Sequence, residues 1–420
     1  MMTMRRTFAR YAAMGMVALG LWAGAVATTG AQQSIFKVVL SPSPNQLGNT
    51  LNAVEATSAR DAWAVGFQNE NQLNGARTLT QHWNGAKWTT VPSPNPGSTP
   101  RCEGQNTGNI LNGVTATSPS DVWAVGFSFD CSSDLKPTIL HFDGSRWSVA
   151  ASPKLLTTGN SALNGITAFA PNNIYAVGYQ PASNGAVLAL VEHFDGSAWS
   201  VVSTPETESN GVVLTAVTAS SANDVWAVGD STDEATESVQ TLVEHFDGTR
   251  WTIVPSPNPL PKAFLNQNVL QSVTAVSPQD VTAAGFILDA TLQRELTLIE
   301  HWDGKKWSVV PSPNGSTAAG VQNVLMAVSA FNSNDAYAVG FLNDASTSAQ
   351  PETLVEHFDG SKWSIVPSPT PGVAQHLNGT FARRNSRQIW AVGASSDLPF
   401  DPETGLLQLP LTLVVLTPIG

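Results

Sequence analysis

A short phrase, DVWAVG from Asp224, returns along this chain as DAWAVG from Asp61, DVWAVG from Asp121, NIYAVG from Asn173, DVTAAG from Asp280, DAYAVG from Asp335 and QIWAVG from Gln388. Measured at the third position of the phrase (63, 123, 175, 226, 282, 337 and 390), the seven copies are 60, 52, 51, 56, 55 and 53 residues apart. A period of this length means that each copy is one supersecondary unit, which buries its apolar face only by stacking against its neighbours. The 420 residues are therefore expected to form one repeat domain rather than two or three ordinary ones.

One unit reads as four strands. In the fourth copy VLTAVTAS, from Val213, is rich in β-branched and small residues, and Ser221, Ala222 and Asn223 make a short turn. DVWAVG follows as a second strand, with Gly229 expected to end it at a positive φ. TLVEHF is a third strand, Asp247-Gly248 a hairpin signal, and TRWTIVP a fourth strand that Pro255 terminates. Solenoid coils are shorter and pair their strands between repeats, whereas four-stranded meanders of 40 to 50 residues are the blades of a propeller. The seventh copy supplies only three strands, near LNGTFARR, QIWAVG and LTLVVL. The missing one stands at the other terminus, where SIFKVVLSPSPN from Ser34 parallels KWSIVPSPTP from Lys362 with Phe36 in the tryptophan position. The expected fold is all-β: a seven-bladed propeller of four-stranded antiparallel blades, its last blade completed by residues 34–45.

HFDGSRW and its relatives resemble the Asp-box of sialidase-type propellers, without the residue between Asp and Gly and the one before the Thr-Trp pair. The units are also loosely similar to kelch-type blades, without the double glycine. The resemblance covers residues 34 to 420 and implies architecture; it carries no functional residues across.

Residues 1–31 read as an export signal, with Arg5, Arg6 and Arg10 ahead of an apolar run from Tyr11 to Ala27, then small residues through Ala31. Paired arginines in RRTFAR also resemble a twin-arginine signal, preceded by Met4 where a polar residue is usual, and the leader looks bacterial. The run is short for a bilayer crossing, and no later segment qualifies as a span. The mature chain, 32–420, is expected to be secreted, periplasmic or at the cell surface. Losing the leader's three arginines takes the net charge from -12 to -15, which repels phosphate backbones and anionic membranes; nucleic acid is not an expected partner.

The twelve tryptophans of the mature chain all sit at repeat positions, as expected of blade packing. So do six of the seven histidines: His82, His141, His193, His245, His301 and His357. Each belongs to a different blade, too far from the others to share a metal. Each precedes the turn between third and fourth strands, at the same blade edge as the acid opening the second strand, so a ring N–H bonded to Asp61, Asp121, Asp224, Asp280 or Asp335 is expected. The third copy has Asn173 there, and the seventh has lost both members.

The turns between first and second and between third and fourth strands are short and uniform, and leave from one face. The other connections differ in every copy and leave from the opposite face, where binding residues are expected. Cys102 and Cys131 fall on that variable face and are expected to be disulfide-bonded. Its loops are neutral and polar. The candidate ligand contacts are Arg101 as an anion contact, Phe129 and Tyr179 as stacking rings, and Asp230, Asp233, Glu234 and Glu237 as an acidic cluster whose spacing matches no EF-hand loop. No catalytic constellation, metal-spaced histidine pair or phosphate-cradling loop is visible, and no cofactor or metal is expected. The first reading is thus an exported non-enzymatic binding module for carbohydrate or another cell-envelope component. A surface protein-interaction scaffold is the second. A glycoside hydrolase or polysaccharide lyase is the third, with carboxylates meeting at the channel mouth. Against sialidase chemistry, Arg383, Arg384 and Arg387 follow a first strand and belong to the opposite face.

Overall fold

The computed structural model describes residues 36–45, 48–69, 75–98, 102, 107–131, 134–155, 158–205, 207, 209, 211–344, 350–369, 374–384, 388–396 and 413–416. The expected export segment, residues 1–31, and Arg101 lie outside them.

The strands group into seven four-stranded antiparallel meanders. In the fourth, Gly211–Ser221, Asp224–Asp233, Ser238–Phe246 and Trp251–Ile253 follow one another as neighbours. The seventh is built from Ala374–Ala382, Ile389–Ser396 and Leu413–Leu416, with Lys37–Leu40 from the other end of the chain pairing antiparallel on its outside. The architecture is a β-propeller whose last blade is completed by the N-terminal strand, as the repeat predicts.

Aromatic rings set the blade spacing. Where the preceding blade has a ring in its WAVG phrase, the tryptophan that opens the fourth strand packs on it: Trp147 on Trp63 at 5.3 Å, Trp199 on Trp123 at 5.6 Å, Trp251 on Tyr175 at 5.9 Å and Trp307 on Trp226 at 5.6 Å. Trp88 on Trp390, at 5.1 Å, carries the series across the chain ends. Phe36 stands 5.8 Å from Tyr337, edge to face, so it fills the tryptophan position of the seventh blade.

The innermost strands carry a second repeated device. Each has a bulge at the residue after a buried leucine: Asn52, Asn112, Asn164, Thr215, Gln271, Met326 and Asn378. In five of the seven, Asn52, Asn112, Asn164, Thr215 and Asn378, the extra residue's side chain bonds to the next blade. Asn52 Nδ2 donates to Leu111 O at 2.8 Å, Asn112 to Leu163 O at 3.0 Å, Asn164 to Leu214 O at 2.8 Å, and Thr215 Oγ1 to Leu270 O at 2.7 Å.

The same bulge explains the glycine of the phrase and corrects the expectation of a positive φ. The glycines with positive φ include those of the Asp/Asn-Gly turns, such as Gly248 at 91°, but none of the seven WAVG glycines. The second strand also runs on past its glycine, to Asp233 in the fourth blade. A Cβ on Gly229 would lie 2.0 Å from Val213 O, and one on Gly66 2.0 Å from Thr50 O. The position excludes a side chain because the bulged neighbour's carbonyl occupies its place.

Candidate functional site

The described connections of the variable face are cross-linked by a disulfide and by hydrogen bonds. Cys102 and Cys131 are disulfide-bonded, with Cα atoms 5.4 Å apart, and join two connections of the second blade. The Ser-Pro-Asn segments that leave the fourth strands are tied back to the third: Thr241 N–H donates to Asn258 Oδ1 at 2.8 Å, and the hydroxyls of Thr241 and Ser256 are 2.7 Å apart. Thr78 and Thr297 make the same bonds.

The described residues expected to bind ligand there differ in exposure and in their partners. Phe129 lies half-buried over Gly108, where any Cβ would strike its ring. Tyr179, 8% exposed, and Asp230, 4% exposed, are interior groups that offer no surface for stacking or coordination. Asp233 accepts from Thr236 N–H and Oγ1, both at 3.0 Å, and pairs with Lys262 at 3.5 Å. Glu234 is exposed, and Glu237 holds the left-handed conformation of a tight turn at φ 51°. Among the described residues no group of three or more His, Cys, Asp or Glu is placed to hold a metal ion. Arg384, from the short-turn side of the seventh blade, donates to the backbone oxygen of Ala275 in the fifth.

The uniform face carries the expected polar pairs. Histidine Nε2 and carboxylate Oδ1 are 2.6 Å apart in His82–Asp61, 2.8 Å in His141–Asp121, 2.7 Å in His245–Asp224, 2.8 Å in His301–Asp280 and 2.9 Å in His357–Asp335. In the first, second and fourth blades a hydroxyl four residues earlier, from Thr57, Thr117 or Ser220, donates to the other carboxylate oxygen. Burial alone would raise Asp61 and Asp224, but the bonds from histidine and hydroxyl outweigh it and hold both below the usual carboxylate range.

The third blade keeps the histidine and departs from this pattern around it. Asn173 replaces the acid, its Oδ1 2.8 Å from His193 Nε2, and Phe169 replaces the hydroxyl. Tyr175, smaller than tryptophan, stands in the phrase. The Asp-Gly turn that begins at Asp195 ends in Ala198, where the other five end in Lys87, Arg146, Arg250, Lys306 and Lys362. Three of these changes, Phe169, Asn173 and Tyr175, line a shallow cleft of about 400 Å³ between the third and fourth blades, with His193 on the same side and Asn223 and Phe246 on the other. Phe169 is 51% exposed, whereas Phe331, at the same position of the sixth blade, is 8% exposed and packs on Tyr337. Burial pushes the His193 imidazole below its ordinary value, so the floor of the cleft is neutral near pH 7. Asp195 stays ionised, held down to about 2 by backbone bonds from Ala198 and Ser197 and by the Ser197 hydroxyl. The variable face drew the sequence reading away from this place. Four simultaneous departures from the repeat in one blade were the available signal.

No family model matches the chain, and no curated protein does. Among solved structures it is similar to that of YCF48 bound to D1 peptide, with a TM-score of 0.51 and 13% identity, over 91% of this chain and 97% of that one. At that identity the likeness establishes the β-propeller fold.

Proposed function

We propose that this chain is a non-enzymatic protein-interaction propeller that acts outside the cytoplasm and holds a segment of a partner polypeptide against its disc. The observation that carries this reading is the exposed phenyl ring of Phe169 in a cleft bordered by amide side chains, at a position that is a hydroxyl in the first, second and fourth blades and a buried phenyl in the sixth. An apolar anchor beside neutral hydrogen-bonding groups suits an extended peptide, whose side chains and backbone need one of each. The cleft lining contains no nucleophile with an adjacent base and no pair of carboxylates. The solved propeller to which the chain is similar is bound to D1 peptide, which agrees with this use of the fold. The leader and the disulfide support an oxidising compartment.

Carbohydrate is the competing ligand, because aromatic rings and amides also suit sugars. The mature chain, residues 32–420, is to be tested against an array of synthetic peptides and a glycan library of equal size, with released products recorded. Retention of peptides without cleavage is expected. Retention of glycans alone, or release of product from either, overturns the reading.

A further inference from the structure

We infer that the cleft between the third and fourth blades recognises an apolar side chain that stands next to a lysine or arginine in an extended peptide. This rests on the protein-interaction reading and adds to it a place and a chemistry.

Four departures of the third blade from the repeat set the character of the cleft and its border. Replacing the hydroxyl by Phe169 and the acid by Asn173 removes an ionised group and a donor from the floor and puts an uncovered ring in their place. Tyr175 in place of tryptophan leaves room above Phe246, whose ring lies 5.8 Å away. A buried phenyl contact recovers apolar surface that now faces water, which favours an apolar ligand group and gives nothing to a charged one. The rim has the opposite character. Asp143, Asp247, Asp303 and Asp359 each have a basic residue acting on them from their own turn, whereas Asp195 has Ala198 there and feels only His193. Its Oδ1 accepts the turn's hydrogen bonds, and the carboxylate stands two residues from His193, a wall of the cleft, close enough to act on that ring's charge. The mature chain's strongly negative charge adds a field of the same sign, which steers cationic segments toward the disc. A neutral apolar floor with an acidic rim therefore selects the apolar–basic pair over the apolar–acidic one.

Two substitutions probe the two halves without threatening the fold, because other blades already use them. Phe169→Thr copies Thr57 and Thr117, and Asp195→Asn copies Asn84, whose Oδ1 accepts the same turn bonds from Ala86 and Lys87. The probes are fluorescein-labelled peptides with central Phe-Lys, Phe-Glu or Ala-Lys pairs in a Gly-Ser frame, titrated by anisotropy into the folded mature protein. Phe-Lys is expected to bind about tenfold more tightly than Ala-Lys and about threefold more tightly than Phe-Glu at low salt. Phe169→Thr should erase the first difference and Asp195→Asn the second. Equal binding of all three peptides, or preferences that neither variant moves, overturns the inference. Hydrogen exchange separates this failure from that of the broader reading: peptide binding that protects only the variable loops removes the cleft and leaves the protein-interaction function standing. Binding of no peptide, here or on the array, removes both.

Discussion

Asn378 Nδ2 donates to Leu51 O at 3.0 Å, across 327 residues of chain. The bond is the seventh-blade member of the series of bulge side chains that reach the next innermost strand, and it joins the last blade to the first. Asn378→Ala leaves that carbonyl without its donor and should cost about 1 kcal/mol, read as a lower midpoint in urea with an unchanged slope. An unchanged midpoint would mean that the chain ends are held by the aromatic and strand contacts alone.

Replacement of a repeat acid by asparagine is already present in the chain, at Asn173. Asp224→Asn should therefore change stability little, because the amide oxygen still accepts from His245, which stands 2.7 Å from Asp224 Oδ1. Asp224→Ala strands the imidazole and the Ser220 hydroxyl together and should cost about 1–3 kcal/mol. Thermal melts of the two variants beside the parent decide it; equal losses would show that the pair contributes packing and not hydrogen bonding.

Glu244, Glu300 and Glu356 occupy one position of three successive blades, each fully buried, with neither carboxyl oxygen hydrogen-bonded within the described protein. Burial raises all three to about 8, and raises Glu192, which accepts a bond from Ser152, to about 7. A carboxyl whose folded value lies above its unfolded one contributes stability that is complete below the ordinary 4.5 and is lost as pH climbs through the folded value. The Asp61 and Asp224 carboxylates act with the opposite sign and lose their contribution as pH falls through their lowered folded values. Thermal stability should thus peak in mildly acidic solution and fall toward about pH 9. The triple change Glu244→Gln, Glu300→Gln, Glu356→Gln should flatten the alkaline limb. A parent protein whose melting temperature does not move over that range contradicts the assignment.

The disulfide closes a segment of 29 residues, so removing it with Cys102→Ser and Cys131→Ser should lower stability by up to about 3 kcal/mol. The bond lies on the face opposite the cleft. Peptide binding by the folded double variant should therefore be unchanged, as measured by anisotropy below its transition; a loss of binding would move the site to the variable face.

Architecture was legible in the sequence because each strand writes its own period and each turn its own residues. Phe36 could be placed in the last blade because it stands where Trp363 stands in the sixth. The histidine–acid pairs could be placed because a meander brings the end of its third strand beside the start of its second. Two things were not legible. The role of Gly229 depends on a carbonyl displaced by a bulge in the neighbouring strand, and a bulge has no signature in the strand that suffers its effect. The exposure of Phe169 depends on its surroundings: Phe331 carries the same side chain at the same repeat position, with a tyrosine in its phrase as well, and is buried. Residue type alone does not separate the two.

The most direct test restores the third blade to the repeat. A variant carrying Phe169→Thr, Asn173→Asp, Tyr175→Trp and Ala198→Arg puts in the hydroxyl, the acid, the larger ring and the turn cation of the second blade, Thr117, Asp121, Trp123 and Arg146. Its affinity for the Phe-Lys peptide is to be measured by anisotropy beside that of the parent, with a thermal melt of both. The account predicts a protein that melts no lower than the parent and has lost the peptide by about tenfold or more. Full binding by the restored protein would contradict it, because the cleft would then have no part in recognition.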